Sequence, residues 1–223
     1  MGKRVKRVSV KKGYDLWSET YDGTPNPIVA MDARHTLRLL APQRGERILD
    51  AGCGTGRHLK LLIDAGAHTI GLDFSQGMLE VARRNNPSAL LVRADLQHPL
   101  PFAPARFDAL LCALIGEHLG DLRVVFEGMR SVLKPEGRLV FSVYHPELAA
   151  AGKEANFMRG GMEYRLGAFR HTVADYQRML EETGFRGIVK HEFYGDEELA
   201  RAVPIAAKYL SFPVLLAFEA NRE

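Results

Sequence analysis

Three glycines, Gly52, Gly54 and Gly56, follow an apolar run directly and precede a helical pattern. Glycine lets the backbone approach a ligand closely, because it has no Cβ atom and tolerates positive φ angles. The N-terminus of the following helix offers unpaired N–H groups to the same ligand. The spacing therefore predicts a loop that binds a nucleotide-like molecule at a helix N-terminus.

The acidic residue Asp50 helps to decide between two classes of nucleotide-like ligand. A dinucleotide site has a GxGxxG pattern, with an acidic residue for the ribose about 20 residues later. Here the pattern is GxGxG, with Arg57 beside it, and a carboxylate at Asp50 would repel a pyrophosphate. S-adenosylmethionine carries an ammonium and a sulfonium and no phosphate, so the electrostatics favour this cofactor. An NAD(P)-dependent oxidoreductase is the alternative.

Two further carboxylates end the next two strand-like runs. Asp73 is placed to accept hydrogen bonds from both ribose hydroxyls, and Asp95 to accept one from the adenine amino group. Each could instead be a turn residue, but three carboxylates at successive strand ends favour one adenosine site. The neighbours that complete the predicted site are Ser75 as a helix N-cap, and Met78 and Leu96 beside the adenine.

These residues lie on an alternation of strand-like and helical segments. Such alternation is typical of α/β proteins, in which helices cover both faces of a mainly parallel sheet. We predict a doubly wound sheet with strands at 47–51, 68–73, 89–94, 107–114, 137–144, 187–193 and 212–220. Ligands of such sheets bind beyond the carboxyl ends of the strands, where the candidate residues lie.

Two helices have clear signals in the sequence. Apolar residues recur with helical spacing over residues 122–133, which predicts an amphipathic helix. Thr172 with Asp175 three residues later predicts a capped N-terminus for a later helix, which ends at Gly184.

Composition and charge exclude several classes of protein. Hydrophobic residues make up 46% of the chain and charged residues 26%, which is typical of soluble globular proteins. No apolar run reaches membrane-spanning length, and two cysteines provide neither a disulfide framework nor a CxxC metal site. We therefore expect a cytoplasmic protein without a bound metal. Much of the net charge of +3 lies in residues 3–12, which we expect to be disordered and solvated rather than a nucleic-acid site.

The motifs DAGCGTG, GLDFSQGMLEVAR, RADLQHPLPF, RFDALLCAL and LKPEGRLVFSV resemble, in order and spacing, those of the class I S-adenosylmethionine-dependent methyltransferases. This resemblance covers residues 47–145. Upstream, YDLWSETYD at 14–22 resembles a YDxWxxxYD box of small-molecule members related to quinone-biosynthesis methyltransferases. The resemblance implies that this segment is a lid and that Tyr21 and Leu114 contact the cofactor. It also implies a Rossmann-like sheet of seven strands in the order 3-2-1-4-5-7-6, with the last-numbered strand antiparallel.

We expect a single domain of 223 residues with three parts. Residues 1–45 form a basic arm and a helical lid, 46–144 the cofactor-binding core, and 145–223 the substrate-side insertions and the rest of the sheet. Within the last part, 145–170 and 195–211 fit no alternating pattern. They follow the fifth and sixth strands, so they are candidate elements for covering a substrate.

Methyl transfer from a sulfonium is a direct displacement, so the protein mainly aligns the reactants and excludes water. A general base helps when the acceptor is a hydroxyl or a carbon acid, and the candidates are His118 and His145, with His171 and Tyr144 as weaker ones. The chain after the fourth strand lacks the Asn/Asp-Pro-Pro-aromatic pattern of enzymes that methylate nucleic-acid bases or glutamine. We predict methyl transfer from S-adenosylmethionine to a small-molecule acceptor, with neither nucleic acid nor membrane as partner. A non-catalytic S-adenosylmethionine-binding protein is the second hypothesis.

Overall fold

The computed structural model describes residues 4–223, in which strands and helices alternate as predicted. Its strands are β1 (Arg4–Arg7), β2 (Arg47–Ala51), β3 (His68–Asp73), β4 (Leu90–Arg93), β5 (Phe107–Ala113), β6 (Leu133–Tyr144), β7 (Asn156–Arg159), β8 (Met162–Arg165), β9 (Phe185–Tyr194) and β10 (Pro213–Arg222). The predicted strands of the central sheet agree with these bounds to within a few residues, and β6 begins at Leu133 rather than at residue 137.

The helices lie between these strands and before them. They are α1 (Val10–Tyr21), α2 (Pro27–Leu40), α3 (Arg57–Asp64), α4 (Gln76–Asn85), α5 (Leu122–Val132), α6 (Pro146–Ala150), α7 (Val173–Glu182) and α8 (Glu197–Ala202). Two 3₁₀ helices cover Gly116–His118 and Pro204–Tyr209. Within residues 4–223 no helix is long and apolar enough to cross a membrane.

The central sheet has seven strands in the spatial order β4-β3-β2-β5-β6-β10-β9. Numbered along the chain within this sheet, the order is 3-2-1-4-5-7-6, and β10 is antiparallel to both of its neighbours. The other neighbouring pairs are parallel. The Rossmann-like sheet that the resemblance implied is therefore confirmed. Because β2 to β5 are parallel, the loops after them meet at one edge.

Buried side chains hold the middle of this sheet in place. Strand β5 is buried along almost its whole length, because helices cover both of its faces. Helix α5 buries Val125, Phe126 and Met129, as the helical spacing predicted. Phe126 meets Phe141 of β6 edge to face, with ring centroids 5.2 Å apart. Burial of one such side chain contributes ~2 kcal/mol, so this layer stabilises the strands whose ends carry the site.

Helix α7 begins with the predicted capping box. The Asp175 N–H donates to Thr172 Oγ1 at 3.1 Å, and the Thr172 N–H donates to Asp175 Oδ2 at 2.9 Å. These bonds satisfy two backbone donors that a bare helix terminus leaves unpaired. The helix ends just before Gly184, whose φ of +87° is a left-handed conformation that glycine adopts without strain.

The basic N-terminal segment forms a strand, which corrects the expectation that it is disordered. Lys3 lies outside the described residues, but β1 pairs in parallel with β8 in a sheet ordered β1-β8-β7. This pairing gives partners to backbone groups of β1, and Arg7 forms an ion pair with Glu154 at 3.3 Å. β7 and β8 form a hairpin through Gly160 and Gly161, so segment 145–170 contains a surface hairpin.

The other insertion, 195–211, follows the end of β9 at the carboxyl edge of the sheet, as expected. Leu199, Val203 and Ala206 are buried against Met31 of α2 and Val214 of β10. Among the described residues that line the pocket at the strand ends, none comes from 195–211 or from 145–170. The hairpin of 145–170 packs on α1, and 195–211 packs on the core and against Leu114, which lines the pocket. That 145–170 and 195–211 cover a substrate stays a prediction.

Candidate active site

A pocket of about 920 Å³, including its solvent-filled mouth, lies at the carboxyl ends of β2 to β5. Its size suits a ligand of several hundred daltons. Most of the predicted site residues line it: Tyr21, Asp50, Gly52, Gly54, Asp73, Met78, Asp95, Leu96, Leu114 and His118. The predicted residues Gly56, Ser75 and His145 are not among its lining residues in the described chain.

The glycine loop is tied to the neighbouring strand and leaves space above it. The N–H groups of Gly52 and Cys53 both donate to the Leu72 carbonyl, at 2.7 and 2.9 Å. Gly54 has a φ of +53°, and a Cβ atom built there would meet no described atom within 4 Å. A side chain at this position would therefore project into open pocket, which is the space that the glycine keeps free for a ligand.

Gly56 has a packing role instead. It is the N-cap of α3 with a φ of +83°, and a Cβ atom there would lie 2.5 Å from Asn86 Nδ2. The amide of Asn86 donates to the Gly56 carbonyl at 3.1 Å. The absence of a side chain allows this contact, which fastens the loop to the end of α4. The prediction that Gly56 binds the cofactor is thus not supported by its position.

The carboxylate of Asp73 is held rigidly at the end of β3. Oδ2 accepts a hydrogen bond from the Gly54 N–H at 2.9 Å, and Oδ1 accepts one from the Ser75 N–H at 2.8 Å. Burial raises the pKa of Asp73 to about 6, and these two bonds limit the rise. The group is therefore mainly ionised above pH 6, and carboxylate lone pairs remain for a ligand's hydroxyl groups.

Ser75 caps α4 and does not line the pocket. Its hydroxyl accepts from the Met78 N–H at 3.1 Å and donates to Asp15 Oδ1 at 2.7 Å. The N-cap role predicted for Ser75 is confirmed, but its hydroxyl is fully engaged with α4 and α1. One of these hydrogen bonds caps α4 and the other joins α4 to α1, so the structure gives Ser75 a role in supporting the pocket from outside its lining.

Asp50 is a buried carboxylate without a complete set of partners. The residue is 1% exposed, and nothing within residues 4–223 donates a hydrogen bond to its Oδ2 atom. Burial raises the pKa of Asp50 to about 6, with the charges of His58 and Arg57 opposing the rise. An unpaired buried carboxylate is costly, so a cationic ligand group beside it would be strongly favoured.

The third carboxylate and the apolar walls lie at the ends of β4 and β5. Oδ1 of Asp95 accepts from the Gln97 N–H at 3.0 Å, which orients its side chain. Leu96 and Met78 are buried beside it. Leu114 has a left-handed φ of +57°, a strained conformation for leucine that the hydrogen bond from its N–H to the Ser142 carbonyl supports. These groups suit a flat, mostly apolar ring with an amino group at its edge.

His118 lies on the 3₁₀ helix after β5 and contacts the lid. Its Nε2 is 2.9 Å from the Tyr14 hydroxyl oxygen. Its Nδ1 has no hydrogen-bond partner among the described residues. Burial lowers the pKa of His118 to about 4. The ring is therefore neutral at physiological pH, and its Nδ1 can accept or donate a hydrogen bond, depending on the tautomer.

Glu117, which sequence reasoning missed, is buried beside His118. In the described part of the chain its Oε2 has no hydrogen-bond partner, and its Oε1 is 3.7 Å from His118 Nε2, which is too far for a hydrogen bond. Burial raises the pKa of Glu117 to about 8. A signal was present, since Glu117 is a carboxylate just after an apolar strand, as Asp50, Asp73 and Asp95 are.

Replacing Glu117 with glutamine should raise the stability of the protein above that of the native protein, and this gain should be larger at high pH than at low pH. The folded state keeps the Glu117 proton up to about pH 8, whereas the unfolded chain releases it near the ordinary value of 4.5. Between these values the folded state binds more protons, so the native protein loses stability as pH rises. Urea unfolding at pH 5 and pH 8.5 should show the variant gaining on the order of 2–4 kcal/mol over the native protein. A stability difference that does not change with pH would contradict this.

His145 lies outside the pocket, which corrects its assignment as a catalytic base. It is 2% exposed and is the N-cap of α6, where its Nδ1 accepts from the Glu147 N–H at 3.3 Å. Its Nε2 is 3.4 Å from Glu192 Oε1 on β9. One ring nitrogen thus caps α6, and the other joins this end of the helix to β9. Pro146 at the first helical position favours helix initiation at this residue.

A buried polar network behind the glycine loop was also missed. Asp32 of α2 is fully buried and lies 2.6 Å from Arg57 Nη2 and 2.9 Å from His58 Nε2. The hydroxyls of Thr36 and Ser142 donate to its other oxygen, each at 2.6 Å. Burial opposes ionisation, but the bonds from His58 and Ser142 and the charges of His58 and Arg57 hold the pKa of Asp32 well below its ordinary value.

Other reactive groups offer little for catalysis. Burial raises the pKa of the Cys53 thiol well above its ordinary value, so the thiol is a poor nucleophile. Across residues 4–223 no group of three or more His, Cys, Asp or Glu side chains is arranged to hold a metal ion.

Helix α1, the predicted lid, borders one side of the pocket with aromatic residues. Tyr14 and Tyr21 line the pocket, and Trp17 stacks on Phe157 of the hairpin with ring centroids 5.0 Å apart. Hydrogen bonds join α1 and its C-terminal end to the walls of the pocket. Asp15 binds the start of α4 through Ser75, and Asp22 accepts a 2.8 Å hydrogen bond from Thr55 of the glycine loop.

Comparison with known proteins finds methyltransferases. Residues 49–141 match the family model described as a methyltransferase domain. A demethylmenaquinone methyltransferase from Clavibacter sepedonicus is 41% identical over 135 residues, which cover 57% of this chain and 54% of that protein. An uncharacterized methyltransferase from Emericella nidulans is 29% identical over 82% of this chain and 78% of its own length. The chain thus spans about half the length of the Clavibacter relative.

Solved structures give the same result over a larger share of the chain. An S-adenosylmethionine-dependent methyltransferase from Mesorhizobium loti superposes with a TM-score of 0.74 at 26% sequence identity. The match covers 88% of this chain and 100% of that one. Most of this chain therefore has a counterpart in a solved structure of this type.

Proposed function

Since the chain belongs to the class I S-adenosylmethionine-dependent methyltransferases, we propose that it transfers a methyl group from this cofactor to a small-molecule acceptor. The cofactor supplies a methyl group bonded to a positively charged sulfur. The remaining requirements, which are binding, alignment and exclusion of water, fall to the protein. A relative named demethylmenaquinone methyltransferase supports a small-molecule acceptor.

The three strand-end carboxylates would hold the cofactor. Asp50 suits its ammonium, Asp73 its ribose hydroxyls and Asp95 its adenine amino group. Met78, Leu96 and Leu114 provide the apolar surface for the adenine. The observation that carries the proposal is the unpaired Oδ2 of Asp50 inside the described chain, because a buried carboxylate beside an open glycine loop suits a cationic, phosphate-free ligand.

Aromatic residues of the lid would exclude water from the acceptor side. The rings of Tyr14, Trp17 and Tyr21 lie within about 5 to 6 Å of one another, measured between centroids. Burial raises the pKa of Tyr14 well above its ordinary value, so its phenol stays neutral. A dry pocket strengthens each electrostatic contact between protein and ligand.

His118 would accept a proton from the acceptor when the acceptor is a hydroxyl or a carbon acid. This role requires the tautomer that carries its proton on Nε2, because the lone pair on Nδ1 is then free to accept a proton. In this tautomer the Nε2–H donates to the Tyr14 oxygen. In the other tautomer Tyr14 donates to Nε2, and Nδ1–H is a hydrogen-bond donor to the acceptor instead.

Replacing Gly54 with alanine should weaken binding of S-adenosylhomocysteine by about 10-fold, since the new methyl group would occupy ligand space. It should also cost roughly 1–2 kcal/mol of stability, because the backbone is left-handed there. Calorimetric titration measures the first effect and urea unfolding the second.

The matched control is Gly160→Ala in the turn between β7 and β8. Gly160 has a φ of +55°, and a Cβ atom there also meets nothing within 4 Å among the described residues. This variant should lose similar stability and keep its affinity. Equal affinities for the two variants would show that Gly54 does not border the ligand.

The test of the proposal is turnover. The protein is incubated with methyl-labelled S-adenosylmethionine and fractions of a metabolite extract, and S-adenosylhomocysteine is quantified. We expect its release in step with a labelled small molecule in at least one fraction, and none with boiled protein. Tight cofactor binding with no release in any fraction would instead favour a non-catalytic binding protein.

A further inference from the structure

Glu117 is a buried carboxyl group to which the proposed reaction gives no role. It lies on the 3₁₀ helix Gly116–His118 and is 6% exposed. Within residues 4–223 its Oε2 atom has no hydrogen-bond partner, and no lysine or arginine acts on the carboxyl group. A buried carboxylate without a counter-ion is unfavourable. A cationic group that forms beside it would therefore be stabilised.

Four phenols and a thiol face this carboxyl group. Its charge acts on Tyr14 and Tyr21 of α1, Cys112 of β5, Tyr144 of β6 and Tyr176 of α7. Burial raises the pKa of all five groups above their ordinary values, and that of Tyr21 to about 12. These neighbours therefore stay neutral over the pH range in which Glu117 itself titrates.

The segment between β8 and α7 packs on the same 3₁₀ helix. The Phe169 N–H donates to the Glu117 carbonyl at 2.8 Å, and His171 Nε2 lies 2.7 Å from the Leu119 carbonyl. Arg170 is exposed on this segment, and its charge acts on Tyr144. The segment thus holds the backbone of Glu117, while none of its described groups acts on the carboxyl group as a counter-ion.

The nearest group that can become a cation is the ring of His118. Glu117 Oε1 lies 3.7 Å from His118 Nε2, which is too far for a hydrogen bond but close enough for an ion pair. The Tyr14 hydroxyl, at 2.9 Å, occupies the hydrogen-bonding position at Nε2. Burial disfavours a charged ring, because it removes water from the imidazolium. An ionised Glu117 would compensate for that loss through its charge.

We infer that the ionised carboxylate of Glu117 makes His118 a stronger general base, by stabilising the imidazolium that forms when His118 takes the acceptor's proton. The inference rests on the base role of His118 in the proposed function. The proton of the acceptor's O–H or C–H group moves to Nδ1, and the acceptor's electron pair forms the bond to the methyl carbon. The electrons of the broken C–S bond remain on sulfur. Glu117 keeps its charge throughout and acts only through His118, so it is a positioning residue.

Turnover should therefore follow the ionisation of Glu117. Burial raises the pKa of Glu117 to about 8, so the neutral acid predominates at pH 6.5 and the carboxylate at pH 9.5. The neutral acid gives an imidazolium no compensating charge. Because proton transfer becomes faster with a stronger base, native kcat should gain about 10-fold from this ionisation.

The experiment compares kcat of the native protein and of Glu117→Gln at pH 6.5 and pH 9.5, with the acceptor fraction that the turnover experiment identifies. Glutamine has the shape of the neutral acid, so the variant should fold. The two kcat values should agree within about 2-fold at pH 6.5 and differ about 10-fold at pH 9.5. The ratio of the two values cancels any titration of the acceptor itself.

Two controls separate this role from a structural one. Glu163→Gln replaces another buried glutamate, which pairs with Arg165 at 2.8 Å on the hairpin, and it should keep the native pH dependence. In a His118→Gln background, Glu117→Gln should change kcat less than about 2-fold at either pH, because the carboxylate then has no imidazolium to stabilise.

The inference is wrong when the ratio of native to Glu117→Gln kcat is the same at both pH values, or when Glu117→Gln lowers kcat equally with and without His118. An unchanged kcat in His118→Gln removes the base, and the role of Glu117 with it. Failure of the native protein to release S-adenosylhomocysteine with every fraction is a different outcome, because it overturns the proposed function and this inference together.

Discussion

Replacing Asp73 with alanine is expected to weaken S-adenosylhomocysteine binding by at least about 100-fold. The variant loses the acceptor for two ribose hydroxyls, and hydrogen bonds to a charged partner contribute about 1.5–3 kcal/mol each. It also releases the Gly54 N–H, which Asp73 holds at 2.9 Å, so the glycine loop loses part of its support. Calorimetry at pH 8, where Asp73 is ionised before the ligand arrives, measures the effect.

Asp64→Ala is the control for this variant. Asp64 is an exposed aspartate at the end of α3, whose partner is Lys60 at 2.9 Å. The control should bind S-adenosylhomocysteine normally, because an exposed ion pair contributes little. Thermal unfolding of both variants without ligand separates loss of fold from loss of binding. A folded Asp73→Ala protein with less than about 3-fold weaker binding would remove Asp73 from the site.

His118→Gln is expected to lower kcat about 100-fold, which is at the lower end of what a general base contributes. Glutamine retains a polar group for the Tyr14 hydroxyl but cannot take up a proton at physiological pH. S-adenosylhomocysteine affinity should change less than about 3-fold. The measurement uses the acceptor fraction that the turnover experiment identifies.

His68→Gln is the matched control, since His68 is exposed at the start of β3, at the opposite end of the strand from the pocket. It should leave kcat unchanged. An unchanged kcat in His118→Gln would mean that the acceptor needs no base, as expected for an acceptor that is already a strong nucleophile. Because burial lowers the pKa of His118 to about 4, native turnover should not fall through protonation of this ring between pH 6 and 7.

The sequence sufficed for features that depend on local pattern. The glycine loop, the apolar face of α5 and the Thr172 capping box each lie within a few residues of chain, and each is present as predicted. Asp50 and Asp73 are brought together because parallel strands end at one edge. The strand order came from resemblance, since spacing alone does not determine which strands are neighbours.

The features that were missed depend on contacts between distant segments. Strand β1 forms because β8, more than 150 residues later, offers a free edge. Asp32 is one of several charged residues of α2, and nothing in the sequence distinguishes it from the others. Only the fold shows that Arg57 and Ser142 contact it. Such pairs leave no periodic signal in the sequence.

The three predicted site residues that do not line the pocket have a physical feature in common. Gly56, Ser75 and His145 have the residue types that bind ligands, and each lies at or next to a helix start. Helix N-termini leave N–H groups unpaired, so the same side chains can satisfy the helix instead of a ligand. Ser75 and His145 do so in this fold, and Gly56 makes room for Asn86.

The central claim is that the pocket at the ends of β2 to β5 binds S-adenosylmethionine and not a phosphate-bearing cofactor, because carboxylates line it. Calorimetric titration of the purified protein with S-adenosylhomocysteine, and separately with NAD⁺ and NADP⁺, tests it most directly. We expect one molecule of S-adenosylhomocysteine to bind per chain, with a Kd on the order of micromolar, and no heat from either dinucleotide. Binding of a dinucleotide, or no binding of S-adenosylhomocysteine at millimolar concentration, would contradict it.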